Sequence, residues 1–159
     1  MPLSIRQLPA TGVQPLLDKN TLEQNKNITF FNPSRSAQYI YIRSTIHSQS
    51  GESNQAIIYD IKSAKSHTIQ SPWHLLEPTT NLFRGLEDMR IVEFKDQLWF
   101  TATTTHASTH QTNEMVIGCF SKELTKVERI QVIDIGTRPV KNICPFIYND
   151  KLCLMDAFF

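Results

Sequence analysis

A chain of 159 residues is the size of one domain, and 40% hydrophobic with 19% charged residues is enough apolar material to bury a core. Sixteen basic against fifteen acidic residues leave a formal net charge of +1, with no Lys and Arg clustered among aromatics. Nothing electrostatic favours nucleic acid or a membrane surface, and a small neutral or singly charged ligand fits better.

Residues 1–27 carry Pro2, Pro9 and Pro15 among scattered apolar positions and read as an extended arm with room for one short strand. The opening residues lack an apolar run long enough for a signal peptide, and no later stretch has the length of a membrane span. A cytoplasmic location is therefore expected. Asn27-Ile28-Thr29 matches a glycosylation acceptor, which has no use in that compartment. Cys119, Cys144 and Cys153 show no CxxC spacing and lie in apolar, strand-like settings, so reduced core thiols are expected rather than a zinc site.

From Ile28 onward the apolar segments are short, rich in Ile, Val, Phe, Tyr, Trp and Thr, and punctuated by Asn, Asp, Ser, Gly or Pro. That is a strand signal, and no stretch sustains a helical period. The expected strands run 28–31, 39–46, 55–61, 67–70, 90–94, 97–104, 114–120, 127–133, 144–148 and 151–159. An all-β fold follows.

The segments also recur. Asn54-Gln55-Ala56-Ile57-Ile58 returns 59 positions later as Asn113-Glu114-Met115-Val116-Ile117, and Tyr39-Ile40-Tyr41-Ile42 returns at the same offset as Leu98-Trp99-Phe100-Thr101. Phe94-Lys95-Asp96-Gln97-Leu98 returns 54 positions later as Tyr148-Asn149-Asp150-Lys151-Leu152, with Asp88 opposite Asn142. Each unit reads as a polar motif, a hairpin, a third strand after an Asn and a fourth ending near a Pro. Four strands per repeat is the plan of a β-propeller blade. Propellers close with about four to eight blades, so 28–159 is expected to be an incomplete propeller of two and a half blades belonging to a larger domain. Its apolar last strand is an open edge, suited to a partner or to self-association.

Three motifs resemble those of a known family. Asn32-Pro33-Ser34 with Arg43 on the next strand, then Gly85-Leu86-Glu87-Asp88-Met89-Arg90-Ile91, then Lys141-Asn142-Ile143-Cys144-Pro145-Phe146 resemble, in that order, the blade-opening motifs of glycoside hydrolase family 130. The resemblance covers about Ile28 to Phe159. It implies a five-bladed propeller acting on β-mannosides or other oligosaccharides, most often as an inverting phosphorylase, with hydrolases and mannosyltransferases as relatives. It implies no cofactor, with inorganic phosphate as possible co-substrate. By the same resemblance Asp88 is the general acid, and Arg43, Arg90, Lys141, Asn142, Asn32 and Glu87 bind substrate or phosphate. The family carries Pro at Met89, Glu at Val140 and Trp at Ile143.

On a regular strand alternate residues share a face, so Asp88 and Arg90 are expected on one side and Glu87 and Met89 on the other. Inversion needs room beside Asp88, about 6.5 to 9.5 Å when acid and base are both carboxylates. A guanidinium next to a general acid opposes its protonation, so Arg90, Arg43 and Lys141 are expected to face a phosphate or sugar oxygen instead. The competing structural reading is an ion pair of Asp88 with Arg90 or Arg84 that fixes a strand start. Asn32 and Asn142 either bind sugar hydroxyls or cap turns. His106 and His110 sit in a Thr-rich hairpin unsuited to metal; Trp99 reads as core, and Trp73, on a loop, as the better sugar platform. Two functional classes remain: a β-mannoside-processing enzyme, and a non-catalytic module that binds glycan or pairs through its edge.

Overall fold

The computed structural model describes residues 28–48, 51–69, 83–104, 113–134 and 142–156. Its strands are β1 (Ile28–Arg35), β2 (Tyr39–Ser48), β3 (Gly51–Asp60), β4 (Lys65–Thr68), β5 (Phe83–Arg84), β6 (Glu87–Phe94), β7 (Gln97–Thr104), β8 (Glu114–Phe120), β9 (Val127–Val132), β10 (Cys144–Tyr148) and β11 (Lys151–Met155). The order β1-β2-β3-β4 forms one antiparallel sheet, β6-β7-β8-β9 a second, and β10-β11 a hairpin. Short β5 adds to β3 in parallel, with Ser53 opposite Arg84. The fold is all-β, and none of these sheets closes on itself among the described residues.

The turns explain why the strands stop where they do. Lys95-Asp96 and Asn149-Asp150 have all four φ values between 48° and 58°, the backbone of a two-residue hairpin turn whose twist matches the flanking strands. Asp and Asn tolerate this left-handed region because a short polar side chain can bond locally. The β1–β2 connection is wider: Ser36 N–H donates to Tyr39 O at 2.9 Å, and Ser36 Oγ accepts from Tyr39 N at 3.1 Å. Asp60 closes the β3–β4 turn, accepting from Lys62 N–H and Ser63 Oγ.

The main core lies between the two large sheets. Tyr41, Ile58 and Ile69 of the first meet Leu86, Met89, Ile91, Leu98, Phe100, Val116, Phe120 and Val127 of the second. Leu98, Phe100 and Ala102 face it together at strand period two, and the Phe100 and Phe120 rings lie 4.8 Å apart. The other face of the second sheet meets the start of the third unit: Met115 packs with Ile143, and Thr101 Oγ1 donates to Ile143 O at 2.5 Å. The three units therefore follow one another in series, the second between the first and the third.

Several expected boundaries shift. β1 runs on to Arg35 and β6 begins at Glu87, because each carries an irregularity that continues the pairing past a bulge. β4 is Lys65–Thr68 rather than 67–70, and β5 has too few apolar residues to announce itself. Trp99, expected in the core, is half-buried and projects from the opposite face of β7 to Leu98 and Phe100. Cys119 is buried, while Cys144 and Cys153 are half-buried; all three are free thiols. Gln70 and residues 157–159, placed in strands by the sequence, lie outside the described residues, as does the arm 1–27. The described residues contain no helix long and apolar enough to cross a membrane.

Candidate functional site

The first strands of the units share one local device. Pairing between β1 and β2 slips between Phe31 and Ser34, and pairing between β6 and β7 slips between Glu87 and Arg90. Inside each slip sits one left-handed residue, Asn32 (φ 51°) and Asp88 (φ 49°). Asn142, with φ 63°, holds the corresponding place just before β10. Non-glycine residues are uncommon there, and Asn and Asp are the side chains that best tolerate it.

The bulge overturns the expected alternation of the acids. An extra residue in one strand re-aims the side chains around it, and Glu87 and Asp88 end up reaching the same cation. Arg43 Nη2 lies 3.4 Å from Glu87 Oε1, and Arg43 Nη1 lies 3.3 Å from Asp88 Oδ1. Arg43 is therefore not turned towards an open phosphate position, as the sequence reading had it. The ion pair expected for Asp88 with Arg90 or Arg84 is made with Arg43 instead, across the boundary between two sheets.

A buried amide organises the rest. Asn54, 5% exposed on β3, accepts from Arg43 Nε at 2.9 Å and from Thr45 Oγ1 at 2.5 Å, and donates to Glu87 Oε1 at 3.1 Å. Gly85 makes room for it: a Cβ there would lie 2.5 Å from Asn54 Cβ, and φ of +119° suits only glycine. Sequence reasoning used Asn54 as a repeat marker and missed it as a site residue. Its counterpart Asn113 is exposed, so the repeat by itself carried no hint of burial.

Asn32 Nδ2 donates to Asp88 Oδ1. That oxygen thus serves both Asn32 and Arg43, while among the described residues no donor reaches Oδ2. The side chains of Arg43, Glu87 and Asp88 are 11%, 28% and 24% exposed, so the cluster is half-covered rather than sealed. Arg90 turns the other way, to Met89 O at 3.3 Å and Asn142 Oδ1 at 3.4 Å. Ser34 Oγ accepts from Ile91 N–H at 3.1 Å, stitching β1 to β6 beside the cluster.

The expected residues that are described therefore fall into two groups, Asn32–Arg43–Glu87–Asp88 and Arg90–Asn142. Lys141, Trp73, His106 and His110 lie outside the described residues. Met89 and Ile143, where the family carries Pro and Trp, are both buried packing residues. A cleft of about 380 Å³ between the turns near Gln38, Lys95 and Lys122 is lined by none of the candidate residues. Burial pushes the Tyr41 hydroxyl up from its ordinary value; the charges of Arg43 and Arg90 oppose the shift, and those of Asp88 and Glu87 add to it. Among the described residues no cluster of His, Cys, Asp and Glu could hold a metal. Comparison with family models, curated proteins and solved structures returned no match.

Proposed function

We propose that the protein is carbohydrate-active and related to the β-mannoside phosphorylases, its sheets forming successive blades of a propeller-type domain whose ligand lies where their first strands meet. The observation that carries this reading is the recurring left-handed residue. Asn32, Asp88 and Asn142 occupy it in three successive units, and their side chains bond across unit boundaries, Asn32 to Asp88 and Asn142 to Arg90. A lone structural ion pair needs no such repetition. Amide, carboxylate and guanidinium groups gathered at one seam offer both acceptors and donors, which suits a ligand covered in hydroxyl groups.

In the inverting reaction that the resemblance implies, Asp88 protonates the glycosidic oxygen, directly or through a sugar hydroxyl, while inorganic phosphate attacks the anomeric carbon from the opposite face. The bond from anomeric carbon to leaving oxygen breaks, the leaving sugar departs with the proton, and mannose 1-phosphate forms. With Oδ1 held by Asn32 and Arg43, the proton leaves from Oδ2. Arg43 and Asn32 position that carboxyl in the resting protein, and Arg43 has to pass to the incoming phosphate for Asp88 to carry the proton it donates.

A second reading, a non-catalytic module, is favoured by a specific observation: one guanidinium engages both carboxylates, the arrangement of a strut. Its pairing version draws on the exposed apolar residues Phe146, Ile147, Tyr148, Leu154 and Met155 of the β10–β11 hairpin. Incubating the intact protein with β-1,4-mannobiose, with and without phosphate, separates the readings. The first expects mannose or mannose 1-phosphate, lost in Asp88→Asn. Ligand signals in saturation-transfer NMR without product would transfer the function to the second reading, and an absence of both would defeat any glycan role.

A further inference from the structure

The strand that carries Asp88 near its start ends beside a cavity. Glu93 lies five residues further along β6, roughly 15 Å away on an extended strand, and lines the cleft of about 380 Å³ formed by the β1–β2, β6–β7 and β8–β9 turns. Ligand cavities begin at about 300 Å³, so the cleft has room for a small molecule. Phe94, Leu98 and Phe120 give it an apolar wall, and Gln38, Tyr39 and Glu93 a polar one.

Each of the three polar side chains is half-buried, bonded on one side and unspent on the other. Glu93 Oε1 accepts from Ser36 Oγ at 3.0 Å and from Gln38 N–H at 2.9 Å, tying the first unit's turn to β6; among the described residues no donor reaches Oε2. Gln38 Nε2 donates to Tyr39 Oη and to Asp60 Oδ1, both at 3.1 Å, which leaves Gln38 Oε1 without a donor among the described residues. Tyr39 Oη accepts that bond and keeps its own proton to give. Burial first, and then the negative charges of Asp60 and Glu93, raise the pKa of this hydroxyl, so it stays protonated at neutrality. Lys95 forms no ion pair with Glu93 and lies instead over the Phe94 ring, Nζ 4.9 Å from its centroid. A ring that lines the cleft thus already holds an alkylammonium group.

We propose that this cleft binds a small primary ammonium compound that also carries a hydroxyl group, the ammonium on Glu93 and Gln38, the hydroxyl oxygen on Tyr39, and the carbon skeleton against Phe94 and Leu98. A half-buried carboxylate with one unspent oxygen favours a cationic donor, and the amide oxygen of Gln38 takes a second N–H of the same group. An anion is disfavoured, because the polar wall offers two acceptors and a single donor. A free amino alcohol and an amino sugar present the same chemistry. The inference uses none of the residues assigned to glycan or phosphate and stands apart from the proposed function.

Isothermal titration of the intact protein with ethanolamine, and separately with glucosamine, tests it, with glucose and N-acetylglucosamine as uncharged controls. Saturable binding of one equivalent is expected for at least one of the amines and for neither control; tighter binding of ethanolamine identifies a free amino alcohol, and of glucosamine an amino sugar. Glu93→Gln should weaken that binding about tenfold or more while melting close to the wild type, because the amide oxygen still accepts from Ser36 and Gln38. Tyr39→Phe should weaken it about threefold or more and leaves both of those bonds in place, so it decides the matter even if Glu93→Gln fails to fold. Absence of saturable amine binding, N-acetylglucosamine bound as tightly as glucosamine, or binding undiminished in both variants overturns the site. Binding kept in Glu93→Gln but lost in Asp88→Asn would place the amine at the seam and overturn it equally. Release of mannose is read separately, so either proposal can fail while the other stands.

Discussion

Asp88 combines two demands that few side chains meet together: a left-handed backbone and a carboxylate placed against Arg43. Asn satisfies the first and not the second; Ala satisfies neither. Asp88→Ala should therefore be less stable than Asp88→Asn by about 1 kcal/mol, the cost of left-handed backbone for an ordinary residue, as read from urea unfolding of both variants. Asp60 offers a pH-dependent contrast. Hydrogen bonds, that from Ser63 first, hold its carboxyl below the ordinary value of 3.8. A depressed native pKa adds stability that is complete above the unfolded value and fades as pH falls through the native one. Asp60→Asn should lower stability at neutrality and flatten the profile below about pH 4, so that the two proteins converge as the pH falls, a comparison made by melting both proteins across that range. The sequence named Asn32, Arg43, Glu87, Asp88, Arg90 and Asn142, and the structure places the first four in contact at one unit boundary and the last two at the next. Their partners were not legible. Strand alternation assumes an unbroken pleat, and the bulge at Asp88 sends both acids to Arg43, a residue 45 positions away.

At the scale of elements, the strands were legible because β-branched and aromatic runs end at Asn, Asp and Gly, and the paired turns at Lys95-Asp96 and Asn149-Asp150 repeat one sequence pattern. Bulges and the two-residue β5 left no such trace, being set by pairing across strands rather than by local composition. Within the second sheet one position has no freedom. A Cβ at Gly118 would lie 2.5 Å from both Arg129 O and the Phe100 ring, and Phe100 is a fully buried member of the core, opposite Gly118 in the register. Gly118→Ala should cost about 1–3 kcal/mol through overpacking. Chemical denaturation checks this, and a parallel Phe100→Leu, Gly118→Ala double variant should recover part of the loss because the ring that meets the new methyl is gone.

For the whole molecule, the series of a five-stranded sheet, a four-stranded sheet and a hairpin follows the order of the segments that recur in the chain, with the second unit packed on both sides. How many such units a proposed propeller would need is not written in a repeat, because each sheet specifies its neighbours and not the number needed for closure. The proposed catalytic reading belongs at this scale, since Asn32, Arg43, Asp88 and Asn142 come from three successive units and could serve one ligand only when the units are assembled. The most direct measurement is therefore product analysis of β-1,4-mannobiose incubated with the intact protein and inorganic phosphate. The account predicts mannose or mannose 1-phosphate from the wild type and none from Asp88→Asn; equal product from both proteins, or none from either, would contradict it.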